Sequence, residues 1–417
     1  MLPLECEITK LISRRRPLIQ YWYHSCLVFL PYFGKSFVKS KPKNAFIMAI
    51  AMKRIVIVGC GAYGTEAANS FSKNYQQYQV TVINNVDYYY MLPATVRNLT
   101  APDPEEWIEK LTRPLSEKLN SRVKLIIDDV VDINSERVEL ANGSSVPFDA
   151  LIIATGAHWN APISPQLWGD RTIQGMKDYA RMESDELAKA KDVAVVGGGF
   201  VGVELAGEIA HAYQDELLSG EKTLTIYHAS SSFFSSHYGK KLKHGMEDSL
   251  LKLGVRIKYD CYVERSAESG AFIRSTNEVV VADKIYWTTG PRANTPPISI
   301  ANLLNSKEEI KITETFQAAG HAKGNIFAIG DVTDYPRKAH MLTATFIPVI
   351  VPNVDSYLRG RPLTKKIPKA KKYATVAVSA GPEAASGHIA IPVFGYVMLP
   401  KFVMVRMKAK NLWTEQV

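Results

Sequence analysis

Two stretches of this chain share one grammar: an uninterrupted apolar run, a cluster of glycines, then apolar positions at helical spacing. "RIVIVGCGAYGTEAANSF" begins at Arg54 and "VAVVGGGFVGVELAGEI" at Val193. Apolar runs this short suggest strands buried on both faces, and the change to a 3.6-residue period after the glycines predicts strand, turn and helix. A second apolar run follows each, "QVTVIN" ending at Asn84 and "TLTIYHA" reaching His228. The pattern predicts two βαβ halves of doubly wound sheets.

Between and after these units the pattern changes. A helical stretch is predicted around "PEEWIEKLTRPLSEKL", followed by β-rich "VKLIIDDVVDI" and "RVELANGSSVPF". "DALIIATG" reads as a strand ending in Thr155-Gly156, and "VVVADKIYWTTG" as one ending in Thr289-Gly290. "NIFAIGDVTDY" is a further strand delivering Gly330 and Asp331 at its end. The tail is mixed, with a short helical stretch near Val354 and apolar pieces in "HIAIPVFGYVMLPKFVMV".

Each half thus carries a glycine turn, a β-rich insert and a strand ending in Thr-Gly, a repeat of long period. The expected fold class is α/β, with tandem Rossmann-like dinucleotide domains, the second inserted in the first, and a short C-terminal α+β segment. The boundaries read as 52–157 with 279–345 for the first domain, 158–278 for the second and 346–417 for the C-terminal segment. Residues 1–51 form an N-terminal extension.

Composition narrows the function classes. Of the net charge of +9, residues 1–51 carry +6, with eight bases against Glu5 and Glu7. The remainder is about +3, which gives nucleic acid little to bind. The extension reads equally as a targeting segment and as an upstream stretch of reading frame, since Met48 and Met52 stand just before the first strand. Its apolar run is broken by Gln20, His24 and Pro31, so a membrane span is not expected there. The four cysteines, Cys6, Cys26, Cys60 and Cys261, form no C-x-x-C pair, and no ligand spacing for a metal is present. A dithiol centre and a metal site are therefore not expected. The cysteine usage suits a reduced compartment, cytoplasmic or mitochondrial.

The candidate chemistry sits in the turns. Gly59, Gly61 and Gly64 give G-x-G-x-x-G between a strand and a helix: one glycine for the tight turn, one for close approach of a pyrophosphate, one for helix–strand packing. Gly197, Gly199 and Gly202 repeat it. The acid expected at the end of each second strand is missing. Asn84 stands in the first half, still able to hydrogen-bond a ribose hydroxyl, and His228 with Ser230 and Ser231 stands in the second. Nothing there repels a 2′-phosphate, so neither NADH nor NADPH is singled out. Glu204 falls in the first turn of the second glycine helix, while Glu208, one turn on, reads as a solvated surface residue.

With these motifs in view, the chain from Lys53 onward resembles the two-dinucleotide flavoproteins of the apoptosis-inducing-factor-like group, which includes the ferroptosis-suppressor proteins. The resemblance is carried by "GCGAYG", "LPATVR", "LIIATGAHW", "VVGGGFVGVELAGE", "NIFAIGDVTD" and "RMKAKNLW". It implies that the first turn binds FAD and the second NADH or NADPH as substrate. It implies FAD contacts from Arg97, Asp331 and the backbone of Val130, with Thr155, Gly156 and Gly330 around the same cofactor and Gly290 near NAD(P)H. It also implies that Glu204 and a terminal lysine, matched to Lys408 rather than Lys410, reach the flavin region.

Two nucleotides in one chain suit hydride transfer from nicotinamide to flavin. The acceptor stays open among quinones, other small acceptors and a protein partner. The apolar, basic tail is compatible both with a peripheral membrane contact and with packing on the body. The alternative from another class is a cell-death or signalling effector controlled by nucleotide state.

Overall fold

The computed structural model describes residues 52–164, 171–235, 237–266, 270–369, 374–391 and 395–417. The expectations for residues 1–51 lie outside them. Ala51–Val417 forms one compact unit. Its first sheet has five parallel strands in the spatial order Ile326–Ala328, Ala150–Ile153, Lys53–Val58, Tyr78–Asn84, Lys124–Ile127. The chain leaves this sheet after Ile153, builds a second sheet, and returns at Ile326.

Both faces of the first sheet are covered, which is why its strands read as continuous apolar runs. Ile55, Ile57, Val82 and Ile152 meet Ala67 and Phe71 of helix Ala62–Asn74 and Phe346, Ile350 and Val354 of helix Thr343–Leu358. Val56, Val58, Leu151 and Ile153 meet Ile133, Val138 and Leu140 of the antiparallel insert. The helix read as a short stretch near Val354 therefore spans sixteen residues. Pro348 and Pro352 lie inside it, and packing against the sheet holds it helical across both. With its preceding turn, His340–Leu358 is long and apolar enough to cross a membrane, yet its apolar face belongs to this core.

The stretch "PEEWIEKLTRPLSEKL" is also different from its pattern. Helix Pro104–Leu111, capped by Asp103, stops at Thr112, and Thr112–Pro114 pairs antiparallel with Tyr88–Tyr90 before a short turn of helix resumes. Pro114 breaks the periodicity.

The second sheet runs Arg256–Lys258, Thr223–Tyr227, Asp192–Val196, Lys284–Trp287, all parallel. This corrects the boundary at 278/279: strand Lys284–Trp287, read with the first domain, hydrogen-bonds to Asp192–Val196. Its apolar alternation carries no mark of which sheet it joins. The tail forms a three-stranded antiparallel sheet of Val376–Ser379, Ala385–Ile391 and Gly395–Met398, followed by the short helix Lys401–Met404. Ala380 lies against Gly207, where a side chain would come within 2.3 Å of its backbone. The tail therefore covers the helix of the second glycine turn.

Candidate functional site

The two glycine turns are built alike. In the first, Gly59 has φ +95°, and Gly64 lies so close to Gly59 that a Cβ would sit 1.9 Å from its carbonyl oxygen. Gly61 faces open space, the one position where a ligand can reach the backbone. In the second turn the corresponding Gly202 approach is 1.8 Å and Gly199 is the open position. The residue after each first glycine donates its N–H to the side chain ending the second strand: Cys60 to Asn84 Oδ1 at 2.9 Å, and Gly198 to His228 Nδ1 at 3.0 Å. A neutral acceptor holds each turn where the pattern expects a carboxylate.

His228 also bonds the Ser232 carbonyl at 3.1 Å through Nε2, which fixes Nδ1 as the acceptor. Burial holds this imidazole below its usual range, with the Ser232 bond and Asp260 working the other way and Lys243 with it. The native value is depressed, so the contribution is complete above the ordinary value near ~6.5 and is lost as pH falls through the native one. Stability should therefore fall by about 1 kcal/mol on acidification, one hydrogen bond's worth. His228→Asn should flatten the profile, because Asn84 does the same job without titrating. Melting curves across this pH range check this; equal slopes for the two proteins would refute it.

A cavity of about 420 Å³ opens over the first turn. Gly59, Gly61, Asn84, Val130, Thr155, Gly156, Asp331 and Glu204 all line it. Gly64 shapes it from behind, and Gly330, with φ +84°, turns the chain beneath the Tyr63 ring. Asn84 has its amide committed, since Nδ2 donates to Val86 O at 2.8 Å. Both of its polar atoms thus hold the turn, while the residue lines the cavity. The Thr155 hydroxyl is buried beside the cavity without a hydrogen-bond partner. That orphaned group, the open Gly61 backbone and the Asp331 carboxylate together fit an elongated polyol phosphate such as the FAD chain. Burial pushes the Asp331 carboxyl up, and Lys338 opposes this. Burial also pushes the Cys60 thiol up to about 11, so it stays protonated and inert.

Glu204 connects the two halves. It belongs to the helix Phe200–Ala212 that follows the second turn, yet it lines the cavity of the first. Its carboxylate accepts from Ser379 N at 3.2 Å and pairs with Lys408 Nζ at 3.2 Å, both partners buried. Lys408 also rests 4.1 Å from the centre of the Trp413 ring, whereas Lys410 is exposed. Burial and pairing thus separate the two lysines that sequence left adjacent.

Arg97 stands elsewhere than expected. It is not among the residues lining the cavity. Its guanidinium grips Glu208 at 2.7 and 2.9 Å and donates to the carbonyls of Ala409 and Lys410, with Trp107 beneath it. Glu208 is accordingly buried, not solvated. A helix face that looks polar in sequence is covered by the C-terminal tail, and the tail is what Arg97 and Glu208 hold. Gly290, with φ +108°, ends the strand beside the second turn and leaves its Cβ direction open. Lys338, Ser379 and His340, which no motif marks, and Trp413, the last residue of "RMKAKNLW", complete this end of the cavity or its backing.

Residues 53–345 match the model of the pyridine nucleotide-disulphide oxidoreductases. The chain belongs to that family. Among its relatives, apoptosis-inducing factor 1 of Saccharomyces cerevisiae is 30% identical over 88% of this chain and 98% of its own. Human ferroptosis suppressor protein 1 is 27% identical over 59% of this chain and 66% of its own. In fold, the sulfide:quinone oxidoreductase of Aquifex aeolicus superposes with a TM-score of 0.70 at 16% identity, over 87% of this chain and 90% of that one. This member of the family is an apoptosis-inducing-factor-like flavoprotein with FAD and NAD(P)H as its cofactors, and its activity is FAD-dependent oxidation of NAD(P)H.

Proposed function

We propose that this oxidoreductase passes the electrons of NAD(P)H to a quinone at a membrane surface. The observation that carries the reading is Glu204, which stands on the second nucleotide's helix and lines the first nucleotide's cavity. In this reading the Gly59–Gly64 turn takes the FAD pyrophosphate, with Asp331 and Thr155 on the polyol chain. The Gly197–Gly202 turn would take NAD(P)H, with Glu204 on the helix that follows it. When bound, the flavin supplies a ring that accepts hydride and releases electrons singly or in pairs. Lys408 neutralises Glu204 and would offer positive charge to a flavin held in the cavity.

Two observations support the acceptor. Cys60 and Cys261 are both free, and Cys60 is buried, so no dithiol relay is available among the described residues. The C-terminal segment presents Ile389, Val397, Phe402 and Met407 to solvent together with Lys401, Arg406 and Lys410. Ile389 and Val397 are cross-strand partners on the sheet face against which Met404 packs at Gly387. No acid occurs between Glu383 and Glu415. Apolar side chains ringed by bases fit an anionic bilayer, each base adding about 1 kcal/mol near such a surface. The sulfide:quinone oxidoreductase that shares the fold is named for a quinone.

The test is an anaerobic titration of the full chain with NADH and then NADPH, followed in the flavin absorbance. Bleaching that a ubiquinone analogue reverses, faster with anionic vesicles than without, is the expected outcome. A protein that bleaches but is reoxidised only by a soluble protein fraction would overturn the quinone assignment.

A further inference from the structure

One titratable side chain at the Glu204 end has no part in the reading above. His340 lines the cavity beside Lys338 and Ala339. Its ring stacks on Trp413, centroids 6.4 Å apart at 21°, and the same indole carries the Lys408 ammonium. The side chain of Gln416, in the C-terminal turn Thr414–Gln416, is near enough to raise the imidazole's value, and Gln416 is exposed. His340 thus has the cavity on one side and a residue at the solvent surface on the other.

Quinone reduction by the coenzyme balances as NAD(P)H + H⁺ + quinone → NAD(P)⁺ + quinol. The coenzyme supplies two electrons and one hydrogen. The second hydrogen is a proton from solution, and some group must carry it inside. The other charged groups facing this end are engaged. Glu204 is held by Lys408 and Ser379, Lys408 by Glu204 and Trp413, and Lys338 by Glu309 and the Asp331 carbonyl. The Tyr63 hydroxyl donates to Ala339 O, and burial raises its value far above neutral. Burial likewise raises the Asp331 carboxyl, but its cavity edge is the one the FAD chain takes. An imidazole is the side chain whose ordinary range lies near neutral pH.

Resting on the quinone reading, we infer that His340 is the proton donor to the acceptor. The neutral ring takes up a solution proton at its Gln416 edge; an N–H bond of the charged ring then breaks as an O–H bond forms on the quinol, and the ring returns to its neutral form. Burial holds the imidazole below its usual value; the Gln416 side chain opposes this, and the Lys408 charge adds to the lowering. Such a ring gives up its proton readily and recharges when negative charge develops beside it.

The test compares His340→Gln with the unaltered full chain, using a ubiquinone analogue and ferricyanide, which takes one electron and no proton. The ratio of quinone to ferricyanide rates should fall about a hundredfold, within the usual range for a lost general acid. Added imidazole should restore part of it. Independently of turnover, carbon NMR of histidine-labelled protein without coenzyme should show one ring signal, absent in the variant, that titrates below ~6.5 and moves up in Lys408→Met. An unchanged ratio, or a His340 signal indifferent to Lys408, would overturn the assignment. Unaltered protein that NADH bleaches and ferricyanide reoxidises, but that quinones leave reduced, would sink the acceptor reading and this inference with it.

Discussion

Glu208→Ala is expected to cost about 3–5 kcal/mol of stability, because it strands the Arg97 guanidinium in the interior. Arg97 is 7% exposed and Glu208 2%, so neither charge can turn to water. The loss extends beyond the pair. Arg97 also holds the carbonyls of Ala409 and Lys410, and the same tail delivers Lys408 to Glu204. The variant should therefore melt lower and lose flavin reduction in the same preparation. The double variant Arg97→Met with Glu208→Leu removes both charges and should recover most of the melting temperature, since well-packed apolar replacements of buried ion pairs are often neutral. Melting curves at saturating FAD decide it. A single variant within about 0.5 kcal/mol of the parent would mean that the pair carries no such weight.

Gly64→Ala and Gly202→Ala should separate the two nucleotides. A methyl group at Gly64 would meet the Gly59 carbonyl at 1.9 Å, and one at Gly202 would meet the Gly197 carbonyl at 1.8 Å and Thr288 Oγ1 at 2.5 Å. Neither helix can keep its place on its strand, and overpacking of about 3 kcal/mol translates into roughly a hundredfold loss of nucleotide affinity. Gly64→Ala should purify without flavin absorbance. Gly202→Ala should purify yellow and fail to bleach with NADH or NADPH. Opposite phenotypes would exchange the nucleotides between the turns.

Much of this protein was legible in its sequence because the information is local. Gly64 and Gly202 act through contacts five residues back, on the carbonyls of Gly59 and Gly197, and runs buried on both sheet faces announce themselves as unbroken apolar stretches. The family motifs add which nucleotide each turn is expected to take. Tertiary structure decided the rest. Strand Lys284–Trp287 joins the second sheet because of a partner some ninety residues away, which its own pattern cannot name. Glu208 looks like the outer face of an amphipathic helix until a tail some two hundred residues later covers it and Arg97 closes on it. Lys408 and Lys410 stand two residues apart, and only the fold buries the first against Glu204. His340 lies in no motif and becomes a candidate through Trp413 and Gln416, whose positions depend on how the chain's last residues fold back. Residues that act through the backbone beside them are written in the sequence, whereas charges that act across the interior depend on which distant segment excludes water from them.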